Sequence, residues 1–180
     1  MRARQTLPDL WLLSDERNDA ALERALIRLP RGSGFVYRHY HLRVEERRAR
    51  FDELAHKARQ SDHLVILSSE SWIEVAQWGG DGLYGACNAI SVVPPPDLLW
   101  LATAHDAEEI AVANRQGADG IFLSPVFPTR SHPGAKGLGI EGFRRLVSKS
   151  EAPVIALGGM NAERAEELGW PRWAAIDGLS

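Results

Sequence analysis

Residues 117–139, GADGIFLSPVFPTRSHPGAKGLG, contain the pattern that decides the predicted fold. The segment opens with a glycine suited to the C-terminal end of a helix, because glycine adopts a positive φ without a Cβ clash. An apolar strand candidate follows at 120–123, and the chain then turns into a long polar loop. A similar signal, GGDG, occurs at 79–82, where it again separates a helical pattern from a strand pattern. This recurrence predicts repeated βα units.

Outward from this segment, the chain alternates short apolar runs with longer amphipathic ones. Apolar strands between amphipathic helices are typical of a parallel sheet covered by helices. Eight strand candidates predict an α/β fold, a compact (β/α)8 TIM barrel that forms a single domain over residues 1–180. The outer helices after strands 4 and 8 are expected to be reduced or absent, and a doubly wound open sheet is the structural alternative. The strand candidates are 10–14, 34–37, 64–68, 82–84, 98–103, 120–123, 153–157 and 173–176.

The composition argues against several classes of function. With 180 residues, 44% hydrophobic content and a formal net charge of −3, the chain has enough apolar residues for a sizeable core and no basic excess. A general nucleic-acid-binding surface is therefore not expected. No apolar run is long enough for a membrane span. The single cysteine, Cys87, rules out an internal disulfide and favours a reducing, cytoplasmic setting. The sequence leaves open whether the protein is a homo-oligomer.

Candidate binding residues follow the strand candidates, because the ligand site of a parallel barrel forms at the carboxyl ends of its strands. Gly158 and Gly159 come directly after the seventh strand, where close backbone N–H groups favour phosphate; a turn that needs glycine only for its dihedral angles is the alternative. Arg38 ends the second strand, where a bidentate guanidinium suits pyrophosphate. The loop after the sixth strand has hydroxyl groups and cations that could close over a phosphorylated substrate, or could simply be solvated. Its polar side chains are Thr129, Arg130, Ser131, His132 and Lys136.

Two segments resemble the thiamine phosphate synthase family, including its TenI-like members. They are GADGIFLSPVFPTRSHPGAKGLGIEGFRRL at 117–146 and APVIALGGMNAERAEEL at 152–168. The first is similar to the family's GPVFPTxTK loop, and weaker similarity extends over nearly the whole chain. The resemblance implies a (β/α)8 transferase of thiamine biosynthesis that acts on small phosphorylated heterocycles. Such an enzyme couples a hydroxymethylpyrimidine pyrophosphate to a thiazole phosphate and releases pyrophosphate, and Mg²⁺ holds the leaving group.

The resemblance also implies roles for individual residues. It places Arg38 in the pyrophosphate motif and brings Lys136 close to the lysine position of the strand-six loop, as candidate catalytic residues. Glu70 falls where the family has a metal-binding segment, so it is the candidate ligand for Mg²⁺. Substrate-binding positions carried over from the family are Thr103, Thr129, Arg130, Ser131, His132, Gly158, Gly159 and Gly178.

Several positions depart from the family pattern, mostly on the pyrophosphate side. Val36 and Tyr40 replace the glutamine and the lysine of the pyrophosphate motif, and Ser69 replaces an asparagine. Asn88, a neutral residue, stands near a metal-binding carboxylate position. Fewer carboxylates weaken a Mg²⁺ site, because the ion prefers charged, hard oxygen donors. A second hypothesis is therefore a divergent paralogue that binds a phosphorylated thiazole or thiamine phosphate without coupling.

Overall fold

Eight parallel strands form a closed barrel in chain order. The structure is a computed structural model, and it describes residues 6–88, 94–129, 134 and 136–180. No helix within these ranges is both long and apolar enough to cross a bilayer. The strands are β1 Leu10–Leu13, β2 Gly34–Tyr37, β3 Leu64–Ser68, β4 Gly82–Ala86, β5 Leu99–Ala104, β6 Gly120–Leu123, β7 Val154–Ala156 and β8 Trp173–Ala175. The α-helices are α1 Asp19–Arg28, α2 Val44–Arg59, α3 Trp72–Trp78, α4 Ala107–Gln116, α5 Gly139–Val147 and α6 Ala162–Leu168.

The first and last strands close the sheet. β1 pairs with β8 in parallel, with Leu10 opposite Trp173 and Leu12 opposite Ala175. Because this pairing joins the two edges, the predicted TIM barrel is confirmed and the doubly wound open sheet is wrong. Between β4 and β5 the described residues contain no α-helix, and after β8 they form only the short 3₁₀ helix Asp177–Leu179. The predicted reduction of the outer helices is confirmed for the part of the chain that the structure describes.

Local sequence signals set the helix ends. Gly79 and Gly117 end α3 and α4 in the left-handed conformation, with φ of 73° and 74°. A side-chain oxygen of Asp106 accepts backbone N–H groups from the first turn of α4, and Asn161 does the same for α6. These caps satisfy donors that have no partner within the helix. The repeated glycine signal that predicted βα units is thus confirmed as a repeated helix stop.

The barrel has an apolar core on each side of its sheet. Inside, the ring of Phe122 makes edge contacts with Trp11 and Tyr84, with ring centroids 5.5 and 5.1 Å apart. Outside, Leu26 of α1 and Phe51 of α2 belong to the layer between helices and strands, and both are fully buried. Strand side chains alternate between these two faces, so both faces must be apolar. The inner aromatic layer is the floor beneath the site described next.

Candidate functional site

A cavity of about 730 Å³ opens at the carboxyl ends of the strands. All eight strands, or the loops that follow them, contribute to its wall. Its charged lining, within the described residues and apart from His105, consists of three arginines and one carboxylate: Arg17, Arg38, Arg164 and Asp177. The excess of guanidinium groups favours an anionic ligand.

Arg38 is held at its backbone and at its side chain. Its backbone N–H donates to the hydroxyl of Ser14 at 2.7 Å, and its carbonyl accepts from Nε of Arg47 at 2.9 Å. Its Nη2 donates to Oδ2 of Asp15 at 2.8 Å, and its side chain is 18% exposed. Its Nε is buried and has no hydrogen-bond acceptor among the described residues. Arg38 is therefore a fixed cation at the wall of the cavity.

The turn after β1 adds a second guanidinium beside the first. Asp15 begins the 3₁₀ helix Glu16–Asn18, and its Oδ1 accepts from Nε of Arg17 at 2.9 Å. Nη1 of Arg17 also lies 3.5 Å from Oδ2 of Asp177. Burial opposes ionisation of Asp15, but the hydrogen bonds from Arg17 and the charges of Arg17 and Arg38 lower the pKa of this carboxyl. Asp15 and Arg17 were not identified from the sequence, although they lie just beyond a strand end.

Two tyrosines stand next to Arg38 in the wall. The hydroxyl of Tyr40, at the position of the family's lysine, lies 2.5 Å from Oγ of Ser68. Burial raises the pKa of Tyr84 to about 12, and the neighbouring positive charge of Arg38 only partly opposes this shift. Tyr84 is therefore a protonated, neutral group at neutral pH. Arg17 and Arg38 are left as the nearby charges that attract an anion on this side of the cavity.

The other side of the cavity is a glycine turn. Gly158 and Gly159 have φ of 95° and 64°, and a Cβ on Gly158 would lie 2.6 Å from Cα of Pro125. The chain after β6 packs here, because the N–H of Phe127 donates to the carbonyl of Gly158 at 3.0 Å. Arg164 donates to the carbonyl of Gly159, and its guanidinium lies 5.2 Å from the ring centre of Phe127. Arg164 was not identified from the sequence, although it follows the glycine motif within the first turn of α6.

The cavity brings together six of the residues expected from the sequence, and their roles stay predictions. Arg130, Ser131 and His132 lie outside the described residues. Lys136 and Glu70 are exposed and do not line the cavity. The six lining residues are Arg38, Thr103, Thr129, Gly158, Gly159 and Gly178.

The described lining of the cavity offers few charged oxygen donors for a magnesium ion. Residues 6–88, 94–129, 134 and 136–180 contain no group of three or more His, Cys, Asp or Glu side chains placed to hold a metal. The remaining residues include no Asp or Glu in the sequence. Asp177 is the one carboxylate in the described lining, and it faces Arg17. Because Mg²⁺ prefers several hard oxygen donors, the expected Mg²⁺ site at Glu70 has no supporting donor set here.

Comparisons with known proteins agree on one family. A model of the family "Thiamine monophosphate synthase" matches residues 12–176. The chain is 37% identical over 73 residues to a thiamine-phosphate synthase of Pyrococcus furiosus, which is 41% of this chain and 35% of that protein. It is 38% identical over 85 residues to a thiamine-phosphate synthase of Pyrococcus horikoshii, which is 47% of this chain and 40% of that protein. The matched segments span less than half the length of these curated relatives.

A solved structure matches over more of the chain. This is a thiamine phosphate pyrophosphorylase from Pyrococcus furiosus, with a TM-score of 0.76 and 25% sequence identity. The match covers 96% of this chain and 87% of that one. The similarity therefore extends across the whole barrel and includes the strands that border the cavity.

Proposed function

The chain belongs to the thiamine monophosphate synthase family, and from this membership we propose that it is a transferase of thiamine biosynthesis. It couples a hydroxymethylpyrimidine diphosphate to a thiazole phosphate, forms thiamine phosphate and releases pyrophosphate. The observation that carries the proposal is a cavity with positive groups in two separate sectors. Arg17 and Arg38 lie after β1 and β2, whereas Arg164 lies after β7. A reaction between two phosphorylated molecules needs two such anion sites. A cytoplasmic setting belongs to the same proposal and is supported by the single cysteine.

The glycine turn is the proposed site of the thiazole phosphate. Gly158 and Gly159 allow a phosphate to approach the backbone closely, since neither has a Cβ. Arg164 braces this turn through the carbonyl of Gly159 and brings positive charge to it. Thr129, in the loop after β6, lines the same cavity. Its hydroxyl is a further donor for this ligand.

The sector after β2 is the proposed site of the pyrimidine diphosphate. Arg38 lines this sector and is held in place by Asp15, so its guanidinium charge can face a bound oxyanion. The volume of about 730 Å³ lies within the usual range of ligand cavities and accommodates two small heterocycles. The two proposed sites lie above one aromatic floor, in sectors separated by β8.

Coupling in this cavity requires positioning and charge stabilisation more than proton transfer. The bond between the pyrimidine methylene carbon and the diphosphate oxygen breaks, and its electron pair leaves with the diphosphate. The lone pair of the thiazole nitrogen forms the new C–N bond to that carbon. Arg38 stabilises the charge that develops on the departing oxygen, because a prearranged guanidinium needs no reorganisation at that moment. The glycine turn fixes the direction from which the thiazole approaches.

The test is a coupling assay with the full chain, both substrates and Mg²⁺ in the buffer. Thiamine phosphate and pyrophosphate should appear in equal amounts, and neither should form when the thiazole phosphate is omitted. Arg38→Lys keeps the charge and loses the planar fork, so kcat/KM should fall by about tenfold or more. Folded protein that gives no product above a buffer control contradicts the proposal. Calorimetric binding of thiazole phosphate without any product would favour the non-coupling paralogue instead.

A further inference from the structure

Arg17 and Arg38 form a pair of guanidinium groups on one carboxylate. Oδ1 of Asp15 accepts from Nε of Arg17 at 2.9 Å, and Oδ2 accepts from Nη2 of Arg38 at 2.8 Å. Each oxygen thus holds one arginine, so the two cations are fixed side by side at the wall of the cavity. Two guanidiniums and one carboxylate give the trio a formal net charge of +1. We call Arg17 and Arg38, both held by Asp15, the arginine pair.

The arginine pair has features of an anion site. The side chains of Arg38 and Asp15 are only 18% and 20% exposed, so their charges are screened less than surface charges. Both arginines line the main cavity and are not confined to the outer surface. Two adjacent guanidiniums offer planar donor groups to two adjacent phosphoryl groups.

The alternative source of positive charge, a carboxylate-bound metal, lacks its donors. Every Asp and Glu of the chain lies in the described ranges, because residues 1–5, 89–93, 130–133 and 135 include neither type. Among the carboxylates only Asp177 reaches the described cavity wall, where it already faces Arg17. Glu70 is exposed and does not contribute to the wall. The guanidinium groups are therefore the positive charges that the described wall offers to a bound diphosphate on this side.

We propose that the arginine pair binds the diphosphate group of the pyrimidine substrate directly and without a divalent cation, with Arg17 as a diphosphate ligand equal in importance to Arg38. Asp15 is a positioning residue that sets the separation of the two guanidiniums. Asp177 competes with the diphosphate for Arg17, because its carboxylate lies 3.5 Å from Nη1 of that residue. The proposal rests on the proposed function only for the identity of the molecule that carries the diphosphate.

The experiment is calorimetric titration of the full chain with inorganic pyrophosphate, first in EDTA and then in excess Mg²⁺. Pyrophosphate should bind in EDTA. Arg17→Gln should weaken this binding by about tenfold, as expected for loss of one charged hydrogen-bonding partner. Arg24→Gln is the matched control: it removes the same charge from the exposed face of α1, away from the cavity, and should leave the Kd unchanged.

A second variant keeps the test valid if Arg17→Gln does not fold. Asp177→Asn removes the competing negative charge and should tighten pyrophosphate binding by about threefold or more. Binding that appears only with Mg²⁺, or wild-type affinity in a folded Arg17→Gln, would overturn the inference. So would unchanged affinity in Asp177→Asn.

The coupling assay separates failure of this inference from failure of the proposed function. Pyrophosphate binding that depends on Arg17, combined with no thiamine phosphate product, supports the arginine pair and contradicts the transferase. Product formation that requires Mg²⁺ and is unaffected by Arg17→Gln supports the transferase and contradicts the arginine pair.

Discussion

At the scale of single residues, Arg38 is fixed by a buried polar network. Ser14 is fully buried, and its oxygen accepts the backbone N–H of Arg38, so its own hydroxyl proton is available for Nδ1 of His39 at 2.8 Å. Nε2 of His39 then donates to Oδ1 of Asp19, also at 2.8 Å. This arrangement defines one neutral tautomer of the imidazole. His39 therefore links α1 to Arg38, the preceding residue, which lines the cavity.

The stability of the protein should depend on pH through His39. Burial lowers the pKa of His39 below its usual value, and the hydrogen bond to Asp19 only partly opposes this shift. The unfolded chain thus binds the proton more readily, so this contribution to stability is complete above about pH 6.5 and is lost as the pH falls towards the folded pKa. Denaturant unfolding between about pH 7.5 and pH 5 should show a falling free energy of unfolding. His39→Asn should be less stable at neutral pH, and its free energy of unfolding should change less with pH. An equal change of the free energy of unfolding with pH in both proteins would contradict this role of His39.

At the scale of elements, the chain after β6 and the turn after β7 act as one unit. The N–H of Val126 donates to the carbonyl of Leu157 at 2.9 Å, and Phe127 bonds to Gly158 in the same way. On the other side of the loop, the N–H of Gly139 returns to the carbonyl of Val126 at 2.9 Å. The expected polar loop is therefore anchored where it leaves β6 and where it enters α5. The glycine turn therefore holds the start of the loop after β6 in place, in addition to being the proposed phosphate site.

Gly158→Ala should disrupt the packing of the glycine turn against the chain after β6. The new Cβ would meet Cα of Pro125 at 2.6 Å, and the φ of 95° is unfavourable for alanine. We expect a loss of about 1 to 3 kcal/mol in the free energy of unfolding, together with weaker thiazole phosphate binding. Gly142→Ala within α5 is the matched control, since its Cβ would approach no atom closer than 3.4 Å. It should be neutral or stabilising by up to about 1 kcal/mol, and equal destabilisation by both changes would contradict the role of the turn.

The positions of several helices can be predicted from local sequence. The apolar periodicity of residues 44–59 and 107–116 predicts helices that coincide with α2 and α4, because local hydrophobic patterns determine where helices lie. Glu70 shows the limit of this approach. Its place in the chain was consistent with a metal ligand, but the short connection between β3 and α3 leaves it exposed outside the cavity. Chain position does not determine side-chain direction.

At the scale of the whole molecule, the order of the strands sets what surrounds the arginine pair. Arg17 and Arg38 meet because β1 pairs with β2, and closure of the barrel through β8 brings Asp177 to Arg17. No local pattern contains that information, which is why Arg17 was missed while Arg38, at a strand end, was found. Asn18 secures the closure at this end: its Nδ2 donates to the carbonyls of Leu13 at 3.0 Å and Ile176 at 3.1 Å.

Asn18→Ala should therefore weaken the closed barrel. Asn18 is 4% exposed. The substitution removes the hydrogen bonds that its amide group makes with the carbonyl of Leu13 and with the N–H of Asp15. We expect a loss of about 1 to 3 kcal/mol in urea unfolding. Asn114→Ala, which removes similar hydrogen bonds on the exposed side of α4, is the control and should cost about 1 kcal/mol or less. Similar losses in both variants would contradict a special role for Asn18 in closure.

The most direct measurement is a crystal structure of the chain with pyrophosphate and thiazole phosphate bound together, prepared in EDTA. Pyrophosphate should lie within hydrogen-bond distance of both Arg17 and Arg38, and the thiazole phosphate should lie against the turn of Gly158 and Gly159. The two ligands should share one cavity above Tyr84. Both anions at one sector, or pyrophosphate bound away from the arginine pair, would contradict this arrangement.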